Sequence, residues 1–406
     1  MSKVGIALAG GGPLGGIYEI GALTALEDAL QGFDFTEADI YVGVSSGGFI
    51  SAALANGIKP SQLAAMLIGR SADDVFDPNI LMRPAFSEYW RRVTSIPGLM
   101  WEAFTHYLQD PWRHGLFESM QQLGKAIPTG IFDNKGIDEL LREMFTRPGR
   151  SNDFRQLKHK LYLVATELDS GESISFGEPG YDHVPISTAV QASAALPGLF
   201  PPVQIDGHDY VDGALIKTLH ASVALKEGAN LVLCVNPLVP FDTTLAREHG
   251  RNVGALMTGG LPVVLSQTFR AIIHSRMQVG MDRYRHQYKD ADVLLFEPRR
   301  DDGDMFFANV FSYQDRNRLC EHAYQRTRQS LYERRKELAP ILKRHGITLD
   351  IDALKDHRRT LLNDIQRDAH EELSLTATAL DNTLNALELW LTRMQAQQQA
   401  QQQSKS

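Results

Sequence analysis

The sequence predicts an α/β fold with a mostly parallel sheet and helices on both of its faces. Short apolar runs alternate with helical patterns between residues 4 and 235. A glycine cluster follows the first apolar run, and a second glycine-rich turn follows the apolar run at residues 40–42. Strands that alternate with helices form a parallel sheet covered on both sides, and loops at the strand ends carry the functional groups.

The first glycine cluster follows the predicted strand at residues 4–9 and opens a helix whose apolar positions are spaced by three. The cluster is Gly10-Gly11-Gly12-Pro13-Leu14-Gly15-Gly16. Two backbone N–H groups that converge on one point form an oxyanion hole, and glycines allow that close approach. The cluster also fits the dinucleotide fingerprint, which requires an acidic residue at the end of the second strand. That strand ends in Ser45-Ser46 instead, so we favour the oxyanion loop.

The second glycine-rich turn, Gly43-Val44-Ser45-Ser46-Gly47, joins a predicted strand to a predicted helix. A serine between two glycines at such a turn is typical of a nucleophile elbow, which exposes the hydroxyl to a substrate. The helix that follows directs its N-terminal amides at the same point, where they stabilise negative charge. Ser45 is therefore the predicted nucleophile.

A serine nucleophile needs a base, and the sequence leaves two candidates open. Residues 203–205 and 209–211 predict a hairpin with Asp206-Gly207 as its turn, and Asp212 follows the second strand. The Asp212 carboxylate could accept the serine proton directly if its site excluded water. The alternative is a histidine held by a carboxylate, for which His220 is the best-placed residue.

The ordered motifs resemble the patatin-like phospholipase family over about residues 4–240. The resemblance rests on the glycine loop at 10–16, the elbow at 43–47 and Asp212-Gly213-Ala214. It also includes the stretch at 192–203, which contains Ala195-Leu196-Pro197 and resembles the helix and proline turn that precede the family's aspartate. The resemblance implies a three-layer α/β/α fold and a calcium-independent acyl hydrolase that cleaves lipid esters, with no metal and no cofactor.

Residue by residue, the resemblance implies that Ser45 is the nucleophile and that Asp212 is the base of a Ser-Asp dyad. It further implies that Gly10, Gly11 and Gly12 form the oxyanion hole. The remaining motif glycines are Gly15, Gly43, Gly47 and Gly213.

The chain departs from the family pattern at Leu14, where an arginine or lysine usually stands before the last glycine of the loop. A second hypothesis follows from this departure: a membrane-associated scaffold or regulator that keeps the fold but has little turnover. Loss of the cation leaves the backbone donors of the loop in place, and these donors contribute most to stabilising an oxyanion.

The composition indicates which classes of partner and which cellular compartment suit this protein. The chain of 406 residues carries a net charge of −8, which does not favour nucleic acid as a partner. Its two cysteines cannot form a disulfide framework and are expected to be reduced, which suits the cytoplasm. The apolar run near the N-terminus is shorter than a signal peptide requires, so we interpret it as the first strand. The predicted location is cytoplasmic, and peripheral contact with a membrane is left open.

The motifs place a catalytic domain at residues 1–240, and a helical C-terminal extension is predicted at 241–394. Aromatic residues concentrate at 57–130, an insertion that could act as a lid or simply cover the core. A leucine seam at 380–394 resembles a coiled coil, which could pack on the catalytic domain or pair two copies of the chain as a homo-oligomer. The glutamine-rich tail at 395–406 is predicted to be disordered.

Overall fold

The computed structural model describes residues 2–69, 129–251, 254, 256–308 and 315–367. The chain forms two compact units, residues 1–357 and 358–406. Most of the predicted aromatic insertion, the leucine seam and the glutamine-rich tail lie outside the described residues. The first unit contains the central sheet and the motifs that the sequence singled out.

The described strands and helices follow one another in the alternation that the sequence predicts. The strands are β1 Val4–Leu8, β2 Leu30–Gln31, β3 Ile40–Val44, β4 Lys160–Glu167, β5 Ser173–Phe176, β6 Val203–Ile205, β7 His208–Asp212, β8 Leu231–Val235, β9 Asp292–Phe296 and β10 Thr348–Leu349. The α-helices are α1 Gly12–Ala29, α2 Ser46–Ala55, α3 Pro60–Leu67, α4 Lys135–Phe145, α5 Ile186–Ser193, α6 Ala221–Lys226, α7 Thr243–Glu248, α8 Gly260–Gln287, α9 Gly303–Phe306, α10 Arg316–Glu333, α11 Arg335–Arg344 and α12 Ile351–Lys355.

The central sheet has eight strands in the order β6-β7-β4-β3-β1-β8-β9, with β5 also paired to β4. The five strands from β4 to β9 along this order run parallel, whereas β5 and β7 are antiparallel to β4 and β6 is antiparallel to β7. Every residue of β1, β3 and β8 is buried. Strands of a parallel sheet are buried in this way when helices cover both faces.

Each face of the sheet has its own set of helices. One face packs against α6 and the C-terminal half of α8, where Met277, Met281 and Tyr284 join the core. The helices α1 and α2 cover the other face, and α10 packs against α1. The architecture is thus the predicted mixed, mostly parallel sheet between helical layers, with a largely helical region after it.

Two local expectations are confirmed. The hairpin with Asp206-Gly207 as its turn is present, because β6 and β7 pair directly and both turn residues have positive φ angles. The helix predicted after the first glycine cluster is α1, and its polar residues Glu19 and Thr24 are buried along with its apolar ones. The helix lies between the sheet, α2 and α10 and has almost no solvent-facing side.

Strand β9 and helix α10 both lie beyond residue 240, and they pack in the same compact unit as the motifs. The predicted boundary at residue 240 nevertheless stays a prediction. Among the described residues, no helix is both long enough and apolar enough to cross a bilayer.

Candidate active site

The register of the sheet brings the predicted motifs to one edge. Leu8 of β1 pairs with Gly43 of β3, so the glycine loop and the elbow leave neighbouring strand ends. On the other side of β3, Val44 pairs with Val164 of β4. The antiparallel strand β7 ends with Asp212 opposite Ala165, one residue further along β4. Asp212 consequently lies at the level of Ser45, although 167 positions separate them (212 − 45).

Ser45 adopts a strained backbone conformation, with φ 54° and ψ −124°. A side chain other than glycine with positive φ is uncommon and costs conformational energy, and such outliers cluster at functional sites. The flanking glycines make the turn possible because there is no room for a Cβ atom. A Cβ on Gly43 would lie 2.4 Å from the carbonyl oxygen of Gly47, and one on Gly47 would lie 2.6 Å from that of Ala9. This geometry is that of a nucleophile elbow.

A buried hydroxyl holds the elbow in place. The Ser45 backbone N–H donates to Ser193 Oγ at 2.9 Å, and Ser193 Oγ donates to the Val164 carbonyl at 2.6 Å. Ser193 is fully buried at the end of α5. It therefore links the strained turn to the neighbouring strand β4 and satisfies two buried backbone groups at once.

The Asp212 carboxyl group is buried beside Ser45. It accepts a hydrogen bond from the Ala214 backbone N–H at 2.8 Å, and the Ser45 side chain lies beside it. Burial raises the pKa of Asp212 to about 6, and the Ala214 N–H and the Ser45 hydroxyl oppose that rise without cancelling it. Gly213 allows the close approach, since a Cβ there would lie 2.4 Å from the Val164 carbonyl oxygen. A carboxylate with this pKa is a better base than an exposed aspartate.

The three glycines that were predicted to form the oxyanion hole lie next to Ser45 but have different hydrogen bonds. The Gly10 N–H donates to the Thr218 carbonyl at 3.3 Å, and the Gly11 N–H donates to Ser46 Oγ at 3.1 Å. Gly12, with φ 62°, is the first residue of α1, where a helix leaves its N–H groups without intrahelical acceptors. A Cβ on Gly10 would lie 2.9 Å from the Ser45 Cβ, so this loop approaches Ser45 as closely as glycine permits.

A buried acid underlies the glycine loop. Ser46 Oγ, which accepts the Gly11 N–H, donates to Glu19 Oε2 at 3.3 Å. Burial raises the pKa of Glu19 well above its usual range, which favours the neutral form of this side chain. Its Oε1 atom has no hydrogen-bond partner within the described part of the chain. The chain Gly11–Ser46–Glu19 connects the loop after β1 with the elbow after β3.

Ser45, Asp212 and all three loop glycines line one cavity of about 920 Å³. The wall is mostly apolar and comes from α1, α2, α3, α4, α5 and α8. Among its side chains are Ile17, Phe49, Leu63, Met66, Phe132, Leu140, Met144, Phe200, Phe269 and Ile273. A cavity of this size and character suits a large apolar ligand, with the few polar groups at one end orienting it.

A sequence model described as patatin-like phospholipase matches residues 6–225, which is more than half of the 406 residues. The chain belongs to the patatin-like phospholipase family. The match ends just after Asp212 and the loop that follows it, so it includes every motif at the edge of the sheet.

Solved structures give more distant likenesses. VipD from Legionella pneumophila is 16% identical, with a TM-score of 0.35, and the match covers 81% of this chain and 66% of VipD. Full-length ExoU from the type III secretion system of Pseudomonas aeruginosa is 14% identical, with a TM-score of 0.34 and coverage of 82% and 52%. Human GIVD cytosolic phospholipase A2 is 15% identical, with a TM-score of 0.25 and coverage of 63% and 44%. The patatin-like chain thus spans roughly half to two thirds of these proteins.

No histidine among the described residues lines the cavity of this patatin-like protein. His220, the alternative base, is buried, and its Nε2 atom has no hydrogen-bond partner in the described part of the chain. Burial, together with the neighbouring Lys217 charge, lowers the pKa of His220 to about 3. The imidazole is therefore a poor proton acceptor, and it is not part of the cavity wall that contains Ser45.

Leu14 occupies the loop position where the family usually has an arginine or lysine. Cationic side chains from other parts of the chain line the cavity instead. Leu14 is buried in the first turn of α1 and is not part of the cavity wall. The wall contains Arg147, Lys217, Arg270 and Arg276. Lys217 Nζ donates to Ser222 Oγ at 2.9 Å, and burial lowers the pKa of Arg270 to about 10. Positive charge thus reaches this site from α8, from the loop after Asp212 and from the turn after α4, and not from the glycine loop.

Three residues whose hydrogen bonds hold the glycine loop and the elbow together had no role predicted from the sequence. Ser46 stands directly after the predicted nucleophile, which is a local signal that could have drawn attention to it. Ser193 lies within the matched stretch before the aspartate, but its bond to the elbow spans 148 positions. Glu19 has no local signal, because only the packing of α1 shows that this acid is buried.

Proposed function

We propose that this protein is a serine acyl hydrolase that cleaves carboxylic ester bonds of lipids through a Ser45–Asp212 dyad. One observation carries the proposal: the strained Ser45 lies beside a buried aspartate whose pKa is about 6, at the polar end of a large apolar cavity. Membership of the patatin-like phospholipase family supports the same activity.

The reaction begins when Asp212, in its ionised form, accepts the proton of the Ser45 hydroxyl as the oxygen attacks the ester carbonyl. The tetrahedral intermediate collapses as Asp212 returns that proton to the leaving alcohol, which breaks the ester C–O bond. A water molecule then gives a proton to Asp212 and attacks the acyl-enzyme. Collapse of the second intermediate releases the fatty acid and restores the Ser45 hydroxyl.

The negative charge of each intermediate develops next to the N-termini of two helices. The Gly12 N–H at the start of α1 is suited to donate to the oxyanion. The Ser46 N–H at the start of α2 is a second suitable donor, because the residue after the nucleophile supplies one amide in related elbows. Gly10 and Gly11 already donate to Thr218 and Ser46, so their role is to position the loop unless those bonds exchange during the reaction. Two helix N-termini add favourable partial charge at the same point.

A fluorophosphonate probe and a panel of lipid and p-nitrophenyl esters test the proposal. The unmodified protein should be labelled at Ser45 and should hydrolyse esters, whereas Ser45→Ala should lose both properties. Asp212→Asn should lower kcat by at least about 10²-fold, a loss typical of removing a general base. Matched controls are Ser170→Ala and Asp206→Asn, which alter exposed turn residues and should leave rates unchanged. Equal labelling of the unmodified protein and Ser45→Ala would rule the mechanism out.

A second candidate function is a scaffold or regulator with the same fold and little turnover. Leu14 and the prior engagement of the Gly10 and Gly11 amides favour it. It predicts that Ser45→Ala keeps full function in cells and that purified protein hydrolyses no ester in the panel. Hydrolysis that disappears in both Ser45→Ala and Asp212→Asn would exclude it.

A further inference from the structure

Helix α8 has two apolar faces, and only one of them is covered by the described part of the protein. Met277, Met281 and Tyr284 point into the core against the sheet. Another side of the helix carries an exposed apolar stripe whose side chains are spaced by four, four, three and seven residues. The side chains of this α8 stripe, with their exposed fractions, are Leu261 (68%), Leu265 (47%), Phe269 (57%), Ile272 (52%) and Val279 (68%).

The side chains of the α8 stripe lie on one side of the helix over several turns. At 3.6 residues per turn, its five side chains fall within an arc of about 80°, and they extend along about 27 Å of the helix. Exposed apolar residues that occur singly need no explanation, but a contiguous apolar stripe marks an interaction surface. The stripe also reaches the candidate active site, because Phe269 and Ile272 line the cavity that contains Ser45.

The charges around the stripe are positive. Residues 249–281 contain no aspartate or glutamate, although the chain as a whole has a net charge of −8. Arg276 and Arg283 fall within the same arc as the apolar side chains, and both are exposed. Neither arginine has a carboxylate partner in the part of the chain that the structure describes. Asp282, the first acid after this region, is paired with Arg285.

We infer that the α8 stripe is a membrane-docking face that seats the protein on a lipid surface containing anionic headgroups. The apolar side chains enter the boundary between headgroups and acyl chains, and Arg276 and Arg283 contact the lipid phosphates, as in helices that lie in the interface plane. This orientation places the cavity mouth against the lipid, so an ester substrate reaches Ser45 without crossing water. The inference rests on the proposed function for its choice of a lipid partner.

Vesicle co-sedimentation of the Ser45→Ala protein tests the docking face without any hydrolysis of the vesicles. We expect binding to vesicles of phosphatidylcholine with added phosphatidylglycerol, and weaker binding to phosphatidylcholine alone. The triple variant Leu261→Gln, Leu265→Gln, Val279→Gln should bind the anionic vesicles at least about tenfold less well, because each apolar side chain contributes to the partition. Arg283→Glu should reduce the preference for anionic vesicles.

The matched control is Leu168→Gln, which replaces an exposed leucine (51%) after β4 that is not part of the cavity wall. It should bind vesicles like the parent protein. With Ser45 restored, the triple variant should hydrolyse a soluble short-chain ester at the parent rate, since none of its three positions lines the cavity.

Equal vesicle binding by the triple variant and its parent would overturn the inference, as would absence of binding by the parent. Light scattering measures the oligomeric state of both proteins. A parent dimer that the triple substitution converts to a monomer would show that a second copy of the chain covers the stripe. That result would also overturn the inference. Vesicle binding by a protein that hydrolyses nothing would contradict the proposed function alone.

Discussion

At the scale of single residues, the site depends on how an acid is buried. Asp212 would be a weak base with an ordinary carboxyl pKa, and its location at the end of β7 removes it from water. The Ala214 N–H and the Ser45 side chain lower this pKa again and so favour the ionised form. Burial and hydrogen bonding therefore act in opposite directions on one carboxyl group, and their balance sets its basicity.

The pH dependence of hydrolysis should report this balance. Below pH 6 Asp212 is mostly protonated and cannot accept a proton, so kcat/KM should fall about tenfold for each pH unit. Above pH 6 the ionised form predominates and the rate should level off. The measurement is kcat/KM for a soluble ester between about pH 4.5 and 8 at constant ionic strength, with circular dichroism to check folding. A midpoint near 4, the value for an exposed aspartate, would show that burial does not tune this group.

The residue scale is also where sequence patterns were most informative. Ser45 was predictable because its elbow is a local pattern of glycines, and Asp212 was predictable as a candidate because it ends a hairpin strand. The resemblance already assigned the base to Asp212, whereas only the fold shows that His220 is buried and is not part of the cavity wall. The bonds of Gly10 and Gly11 to other residues likewise depend on contacts across the sheet.

At the scale of elements, α5 holds the elbow through one hydroxyl. Ser193→Ala would leave the Ser45 N–H and the Val164 carbonyl without their partner, at a cost of about 1–3 kcal/mol for buried groups. Because the elbow is strained, we expect it to relax and kcat to fall at least about tenfold, with KM little changed. Steady-state kinetics and urea unfolding measure the two effects.

The matched control for this prediction lies on the same helix. Ser187 is also fully buried, and its Oγ accepts a hydrogen bond from Asn152 Nδ2 at 3.0 Å, away from the elbow. Ser187→Ala should lower the free energy of unfolding by a similar amount while kcat stays at the parent value. If both variants lose kcat equally, the role of Ser193 is general stability and not placement of Ser45.

At the scale of the whole molecule, residues far beyond the glycine loop, the elbow and Asp212 support the helix that follows the glycine loop. Helix α10 packs against α1 so closely that a Cβ on Gly21 would lie 2.4 Å from the Cys320 carbonyl oxygen. Strand β9 extends the sheet next to β8. The region after residue 240 therefore contributes both to the sheet and to one of the helical layers.

Two alanine substitutions in helices should have opposite effects on stability. Gly21→Ala should lower the free energy of unfolding by about 1–3 kcal/mol, because a backbone carbonyl cannot move away without shifting α10. Gly280→Ala, in α8, meets no atom closer than 3.9 Å and should raise it by about 0.5–1 kcal/mol through helix propensity. Thermal and urea unfolding measure both changes. A stabilising Gly21→Ala would contradict the close packing of α10 on α1.

The sequence by itself indicated the α/β class, the family, the elbow serine and the candidate aspartate. Each of these follows from a short run of residues that fits only a few backbone conformations. Only the tertiary structure showed that Asp212 is buried beside Ser45, that the Gly10 and Gly11 amides donate to other residues, that Glu19 and Ser193 are buried under the elbow, and that the α8 stripe is exposed. Those properties depend on burial and on contacts between positions far apart in the chain, and no local pattern encodes them.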